Sequence, residues 1–233
     1  MLEDSFLRLK ALLLEHEFEK IKELKILIVG VGGVGGAVAS ALARCAVGSI
    51  DLVDGDVFSY SNINRQFGAT TKTIGKSKVL VMKEKIEEIN PKCSVEPFNF
   101  FYSYETKNLI DLTKYNYIVD AIDCVESKLL VVKEAKKKNI KIISSMGAGN
   151  KLNPTLVEIA DIFQTSYCPL ARVFRKKLRE SNINSLKVVY SKEKPKEKKF
   201  SFVPSCVFVP AIFGLYISYE IFKELILLEN RTK

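Results

Sequence analysis

Among the 233 residues there is one histidine, and the five cysteines (Cys45, Cys93, Cys124, Cys168 and Cys206) include no pair at C-x-x-C spacing. An odd count without paired spacing argues against a zinc ribbon or a disulfide framework, and for a reducing cytoplasm. The lone His16 lies among charges and reads as a surface residue, neither a ligand nor a base. The start, Met1-Leu2-Glu3-Asp4, is acidic and lacks the basic and apolar regions of a signal peptide. No uninterrupted apolar run is long enough to span a membrane. In the most apolar stretch, Phe202 to Leu228, Pro204, Pro210, Glu220, Lys223 and Glu224 intervene, so a buried helix is expected there. The chain has no internal repeat.

What is present describes a globular α/β protein. Hydrophobic residues make up 47%, enough for a chain of this length to bury a substantial core. The formal net charge of +9 favours an anionic partner, with nucleic acid the natural candidate. The alternative source of that charge is a lysine-rich proteome. Asp4 to Glu23 reads as an amphipathic helix carrying Phe6, Leu9, Leu13 and Ile21. Strands are expected at Lys25–Val29, Ser49–Val53, Ser94–Pro97, Tyr117–Ile122, Ile140–Ser144 and Lys187–Ser191. Helices are expected at Val34–Ala46, Lys76–Ile89 (stopped by Asn90-Pro91) and Glu126–Lys138. The alternation implies a Rossmann-like, mainly parallel sheet with helices on both faces, plus an N-terminal helix and a C-terminal strand–helix extension. The expected organisation is a single unit: residues 1–24 as the N-terminal helix, 25–165 as a nucleotide-binding core and 166–233 as an extension for substrate or dimer contacts.

The chemistry concentrates behind the first strand. Gly30-Val31-Gly32-Gly33-Val34-Gly35 is a G-x-G-x-x-G loop between strand and helix, where glycines permit close approach to phosphate and the helix N-terminus offers unpaired N–H groups. Asp54 ends the next strand, where a carboxylate accepts hydrogen bonds from ribose hydroxyls. That pattern serves nicotinamide, flavin and ATP enzymes alike. Arg65, Lys76 and Lys78 follow closely, and hydride transfer has no need of such cations. A triphosphate releasing pyrophosphate does need them, because charge grows on the leaving group. Asp123, at the end of Asp120-Ala121-Ile122-Asp123, is placed like a magnesium ligand at the sheet's carboxyl edge.

These residues resemble the superfamily of ubiquitin-activating enzymes and their bacterial relatives ThiF and MoeB. The resemblance is carried by GVGGVG at Gly30–Gly35, DGDVFSYSNINRQ at Asp54–Gln66, the GKSK ending at Lys78, and DAID at Asp120–Asp123. Within it, the sequence is most similar to the tRNA threonylcarbamoyladenosine dehydratase branch (TcdA, or CsdL). The signs are Ser144–Thr155, Ile159–Ile162, Pro169–Arg172, Leu178-Arg179, Lys187–Ser191 and Phe202–Ser205. The resemblance runs from about Arg8 to the last helix.

It implies an ATP-dependent dehydratase that adenylates the carboxylate of the threonylcarbamoyl group and then cyclises it. Gly30, Gly32, Gly33 and Gly35 would wrap the nucleotide, together with Asp56; Asp54 would bind ribose; and Asn62, Arg65 and Lys78 would contact phosphates. Asp123 would hold Mg2+, with Arg65, Lys78 and Asp123 catalytic. No zinc is implied. Arg8 would reach a partner subunit's phosphates in a homodimer. The tRNA surface is expected at Lys187–Lys199 with Arg172, Arg175, Lys176, Lys177 and Arg179. One rival reading is an adenylyltransferase activating the C-terminus of a ubiquitin-like sulfur carrier, with Cys168 or Cys206 as acceptor and a sulfur-transfer partner. The others are a nicotinamide-dependent oxidoreductase and a non-catalytic binding module.

Overall fold

The computed structural model describes residues 3–197 and 200–227. Its strands are β1 (Lys25–Val29), β2 (Ser49–Val53), β3 (Pro97–Phe98), β4 (Tyr117–Asp120), β5 (Lys141–Ser145), β6 (Val157–Asp161) and β7 (Lys187–Ser191). They form one seven-stranded sheet in the order β3-β2-β1-β4-β5-β7-β6. Every pair of neighbours is parallel except β6 and β7. The helices are α1 (Leu7–Lys10), α2 (Glu15–Glu23), α3 (Gly33–Arg44), α4 (Lys78–Ile89), α5 (Val125–Lys137), α6 (Pro169–Glu180) and α7 (Phe208–Phe222), and α7 continues into a π-helical turn, Lys223–Leu227.

Side chains alternate across the sheet, and both faces are covered. Ile26, Ile28, Ile50, Leu52 and Val119 pack with Phe18 and Ile21 of α2, Val38 and Leu42 of α3, Met82 and Ile86 of α4, and Phe213 and Ile217 of α7. Leu27, Val29, Val53, Ile118 and Val188 face the other way, against Leu130 and Val131 of α5 and Phe174 and Leu178 of α6. Burial on both sides is why Ile26–Val29 reads as an unbroken apolar run rather than an alternating one. The strand order reverses between β1 and β4, and in open α/β sheets the crevice at such a reversal, outside the strands' carboxyl ends, is the ligand site.

Two expectations change at the ends of the chain. The single helix expected over Asp4–Glu23 is instead a 3-10 turn (Glu3–Phe6), the short α1 and the separate α2. Leu14 is extended, and its N–H donates to the Glu17 carboxylate at 2.8 Å, which starts a new helix rather than continuing the old one. Likewise the apolar stretch from Phe202 is not helical until Phe208: residues 202–207 form an open strap in which Phe202 and Val203 are exposed, and Pro210, which lacks an N–H and is tolerated only in a first turn, keeps α7 from starting much earlier. Residue 228 lies outside the described residues. The antiparallel edge strand β6 has no counterpart among the strands expected from periodicity; Glu158 and Asp161 break its apolar pattern. Among the described residues, no helix is long and apolar enough to cross a membrane.

The strand β7 is tied to the end of the chain by charge. Lys187 Nζ lies 2.7 Å from Glu220, which is buried, and also pairs with Glu224. Burial pushes the Glu220 carboxyl up, but the ammonium groups of Lys187 and Lys223 outweigh it and hold it below its ordinary value. A carboxylate depressed in this way adds stability above its unfolded pKa, which is lost as pH falls through the lower folded value. Glu220→Gln is therefore expected to cost roughly 1–3 kcal/mol at neutral pH. It should also flatten the acid limb of the stability profile, measured by urea unfolding between pH 3 and 7; an unchanged acid limb would count against the pair.

Candidate active site

The carboxyl ends of β1, β2, β4 and β5 open into a cavity of about 770 Å³, within the range of roughly 300–1,000 Å³ usual for ligand pockets. Its floor is the glycine loop. Gly30 has φ +94°, and a Cβ there would lie 2.6 Å from the carbonyl oxygen of Ala121. A Cβ on Gly35 would lie 1.8 Å from the carbonyl oxygen of Gly30, so α3 can descend onto β1 only without a side chain at that position. Gly35 therefore does not line the cavity but permits the approach that forms it. Gly30, Gly32 and Gly33 do line it, with Gly32 as the residue preceding the first turn of α3, so the free N–H groups of that turn face the opening.

Asp54 holds this loop. Its Oδ2 accepts from the N–H of Val31 at 2.7 Å and its Oδ1 from the N–H of Asp56 at 2.9 Å. The carboxylate thereby joins the end of β2 to the glycine loop after β1 while remaining on the cavity wall. Lys78, first residue of α4, is buried with its Nζ 2.8 Å from Asp56 Oδ2, and both side chains line the cavity. Arg65 lines it as well, steered by two bonds from one guanidinium nitrogen: Nη1 donates to the carbonyl oxygen of Ser61 at 2.6 Å and to Asn64 Oδ1 at 3.0 Å. Asp123 is exposed on the opposite rim. Asn62 is placed differently from its expected role. It is buried outside the cavity lining, and its Oδ1 accepts from the N–H of Ser59 at 3.1 Å, closing the turn that presents Arg65. Arg8 is exposed on α1.

Three features escaped the sequence reading. Gln66 Oε1 and Tyr102 OH are the two buried side-chain polar atoms without a partner among the described residues, and both residues line this cavity. Burial, with Glu134 nearby, pushes the Tyr102 phenol up to about 12, so it stays a proton donor. Orphaned buried polar groups are rare and costly, and both on one cavity wall mark it as built for a polar ligand. Gln66 was visible beside Arg65, but nothing in sequence tells an orphaned amide from a paired one.

The third is a buried network beneath the floor. Lys128 and Asp120 are fully buried, with Lys128 Nζ 2.7 Å from Asp120 Oδ2, 3.1 Å from Ser144 Oγ and 2.9 Å from the Ser145 carbonyl oxygen. Ser144 Oγ also donates to Asp120 Oδ2, while Asp120 Oδ1 accepts from the N–H of Ile122 at 3.2 Å. The network joins the ends of β4 and β5 and orients the backbone leading to Asp123. In sequence, Lys128 is one more lysine in a lysine-rich helix.

The basic residues expected to meet nucleic acid divide into two groups. Arg175 donates to the carbonyl oxygens of Ile162 and Thr165, and Lys187 is paired with Glu220 and Glu224, so these are structural. Lys192 pairs with Glu158 at 2.5 Å, Lys177 lies 3.9 Å from Glu126, Lys176 lies 4.0 Å from Glu180, and Arg179 stands over the Phe163 ring. Arg172, Lys194 and Lys196 are exposed and make no ion pair among the described residues; Lys198 and Lys199 lie outside them. Cys168 is buried at the start of α6, where its Sγ accepts from the N–H of Ala171 at 3.5 Å, and it lines the cavity; Cys206 is not part of the lining, and its Sγ lies 4.0 Å from the Lys151 carbonyl oxygen.

Truncating one member of a buried pair leaves the other charge without compensation. Lys128→Ala is expected to cost about 3–5 kcal/mol in chemical denaturation, whereas Lys128→Ala combined with Asp120→Ala should cost less than the sum of the two single changes. Strict additivity in that cycle would show that the pair is not coupled.

Comparison with known proteins agrees with this geometry. A model of the ThiF family matches residues 7–232. The chain is 38% identical over 226 residues to the tRNA threonylcarbamoyladenosine dehydratase of Bacillus subtilis, covering 89% of each sequence. Two crystal structures of the Escherichia coli tRNA N6-threonylcarbamoyladenosine dehydratase superpose on it at 28% identity. The complex with AMP gives a TM-score of 0.90 and covers 99% of this chain and 95% of that one. The complex with ATP gives 0.87, covering 99% and 96%.

Proposed function

Because the chain belongs to the ThiF family, we propose that its cavity binds ATP and that the protein is an ATP-dependent tRNA threonylcarbamoyladenosine dehydratase. The observation that carries this is the conjunction of the glycine loop, the Asp54 carboxylate and the cations Arg65 and Lys78 around one cavity, in a fold shared over nearly its full length with a dehydratase that binds AMP and ATP. The two orphaned polar atoms fit a nucleotide: Tyr102 OH offers a donor, and Gln66 Oε1 an acceptor for a hydroxyl or amino group.

The reaction removes one water from the threonylcarbamoyl group. Its carboxylate cannot lose oxide directly, so its oxygen attacks the α-phosphorus of ATP, forming an acyl-adenylate and releasing pyrophosphate. An atom of the carbamoyl group then closes a ring on the activated carbonyl, and the carboxylate oxygen leaves with AMP. The protein aligns the groups and neutralises charge. Arg65, anchored by Nη1, presents the rest of its guanidinium to phosphate, and Lys78 exchanges Asp56 for a phosphate oxygen. Gly30, Gly32 and Gly33 leave room for the phosphates. Asp54 keeps lone pairs for ribose while holding the loop. Asn62 acts by presenting Arg65, and Gly35 by letting the helix approach.

Among the described residues no cluster of three or more metal-binding side chains exists. A single free carboxylate suits magnesium, which keeps several waters and binds through one or two carboxylates plus substrate phosphates. Asp123 is the residue to hold it, and magnesium so bound would offset phosphate charge. We place the tRNA on the side of Arg172, Lys194 and Lys196. The same reading makes the protein a cytoplasmic homodimer with Arg8 facing the neighbouring site, and leaves room for a sulfur-transfer partner. The sulfur-carrier adenylyltransferase reading keeps Cys168, which lines the cavity at a helix start, as its acceptor, and the exchange assay below separates the two readings.

Incubating enzyme with ATP and threonylcarbamoyladenosine-containing tRNA should lower the mass of that nucleoside by one water on hydrolysis and chromatography. Stimulation of ATP–pyrophosphate exchange by a carrier protein, and not by tRNA, would overturn the assignment. Arg65→Ala and Lys78→Ala should each reduce exchange about 100-fold, and Asp123→Asn should weaken the magnesium dependence, read as a shift of the half-saturating concentration. Tightness of tRNA binding should fall with salt, and Lys194→Ala with Lys196→Ala should reduce the slope of log K against log salt by about 1–2.

A further inference from the structure

The cavity extends beyond the residues that hold a nucleotide. Past Asp123 it continues along Met146–Lys151 and Cys168–Leu170 to a rim made of Phe200, Phe202, Val203 and Pro204. Phe200 and Phe202 are 57% and 64% exposed, yet their rings are stacked on one another, with centroids 5.2 Å apart and planes at 22°. The chain on either side of them is tied to the active-site loops. Asn150 N donates to the Pro204 carbonyl oxygen at 2.6 Å, Asn150 Nδ2 to that of Lys196 at 2.7 Å, and Asn64 Nδ2 to that of Ser205 at 2.8 Å. Asn64 also orients Arg65, so the aromatic pair is held relative to the phosphate end of the site. The exposed Lys194 and Lys196 stand at the near end of the same segment.

Resting on the tRNA reading above, we propose that Phe200 and Phe202 form a stacking platform for an unpaired nucleobase of the substrate's loop, with Lys194 and Lys196 meeting the adjoining phosphates. Bases inside a helix have both faces covered by their stacked neighbours. A loop base has a free face, and a pair of stacked, solvent-facing rings in a segment that also carries lysines is the form of surface that accepts one without reading its sequence. Stacking here fixes the strand so that the modified base reaches into the cavity, making these positioning residues rather than catalytic ones.

The test compares Phe200→Ala, Phe202→Ala, Phe202→Leu and Phe202→Tyr with the parent enzyme, using fully modified tRNA and measuring kcat and KM for dehydration, ATP affinity and oligomeric state. Each alanine change should raise KM for tRNA about 10-fold or more while ATP affinity stays put; tyrosine should retain function and leucine should not. Unchanged tRNA kinetics in the alanine variants, or leucine performing as well as tyrosine, would overturn the platform. A change in sedimentation with unchanged kinetics would overturn it too, showing the rings to be a contact between two copies of the chain. If the parent enzyme itself leaves the tRNA unaltered, it is the dehydratase reading that fails, an outcome distinct from a working parent with indifferent variants.

Discussion

At the carboxyl edge of the sheet, both oxygens of the Asp54 carboxylate accept from backbone, one from the loop after β1 and the other from the turn after β2. The glycine loop has no polar side chains of its own, so it needs an outside acceptor to fix the direction of its N–H groups. Asp54 supplies that acceptor from the neighbouring strand. The close approach of Gly35 to Gly30 supplies the other half, because it sets where the first turn of α3 begins. Phosphate binding by a helix N-terminus depends on donors already pointing inward. A residue expected only to meet ribose is thus also the support of the loop beside it.

The same device recurs two strands along the sheet. Asp120 ends β4 as Asp54 ends β2, and it too accepts from backbone two residues ahead while binding a neighbouring element. There the partner is Lys128, fully enclosed and joined to the end of β5. An ammonium without water is tolerated because its three protons meet Asp120, Ser144 and the Ser145 carbonyl. Burial is the largest influence on the Asp120 carboxyl and raises its pKa, against the pull of Lys128 and the hydrogen bonds from Ser144 and Ile122. The outcome is a hydrogen-bonded floor beside Asp123, which has no ion pair among the described residues. Removing the side chain of Lys128 would therefore loosen the loop that carries Asp123 as well as lower stability, which separates it from an ordinary core residue.

Much of this was legible in the order of residues, and the boundary of legibility has physical causes. The strands β1, β2, β4, β5 and β7 announce themselves because burial on both faces makes them short apolar runs, and α4 because Asn90-Pro91 delimits it. The edge strand β6 is half-exposed and carries acids, so its period is masked. Helix expectations at Asp4–Glu23 and Phe202–Leu228 overran because hydrophobicity persists where Leu14 is extended and where Pro210 confines the start of α7. At the site, Gly30, Asp54, Arg65, Lys78 and Asp123 could be named since their residue types and spacing are tied to the chemistry. Gln66, Tyr102 and Lys128 could not, since what distinguishes them is the lack or possession of a partner, a property of packing alone.

The net charge shows how far composition can carry an inference about partners. A surplus of nine positive charges favours an anion in general, yet several of the lysines and arginines that seemed available are internal ties, Lys187 to α7 and Arg175 to the loop before α6. Among the described residues the cations without an ion pair are fewer, and Lys194 and Lys196, among them, precede the exposed Phe200 and Phe202 in the chain. Long-range attraction from the whole molecule brings an RNA close, but it is indifferent to orientation. Orientation has to come from contacts that are short and directional, and a fixed aromatic pair at the mouth of the cavity is such a contact. The charge and the rings therefore divide the work between them: one raises the rate of encounter, the other determines which part of the strand faces the nucleotide.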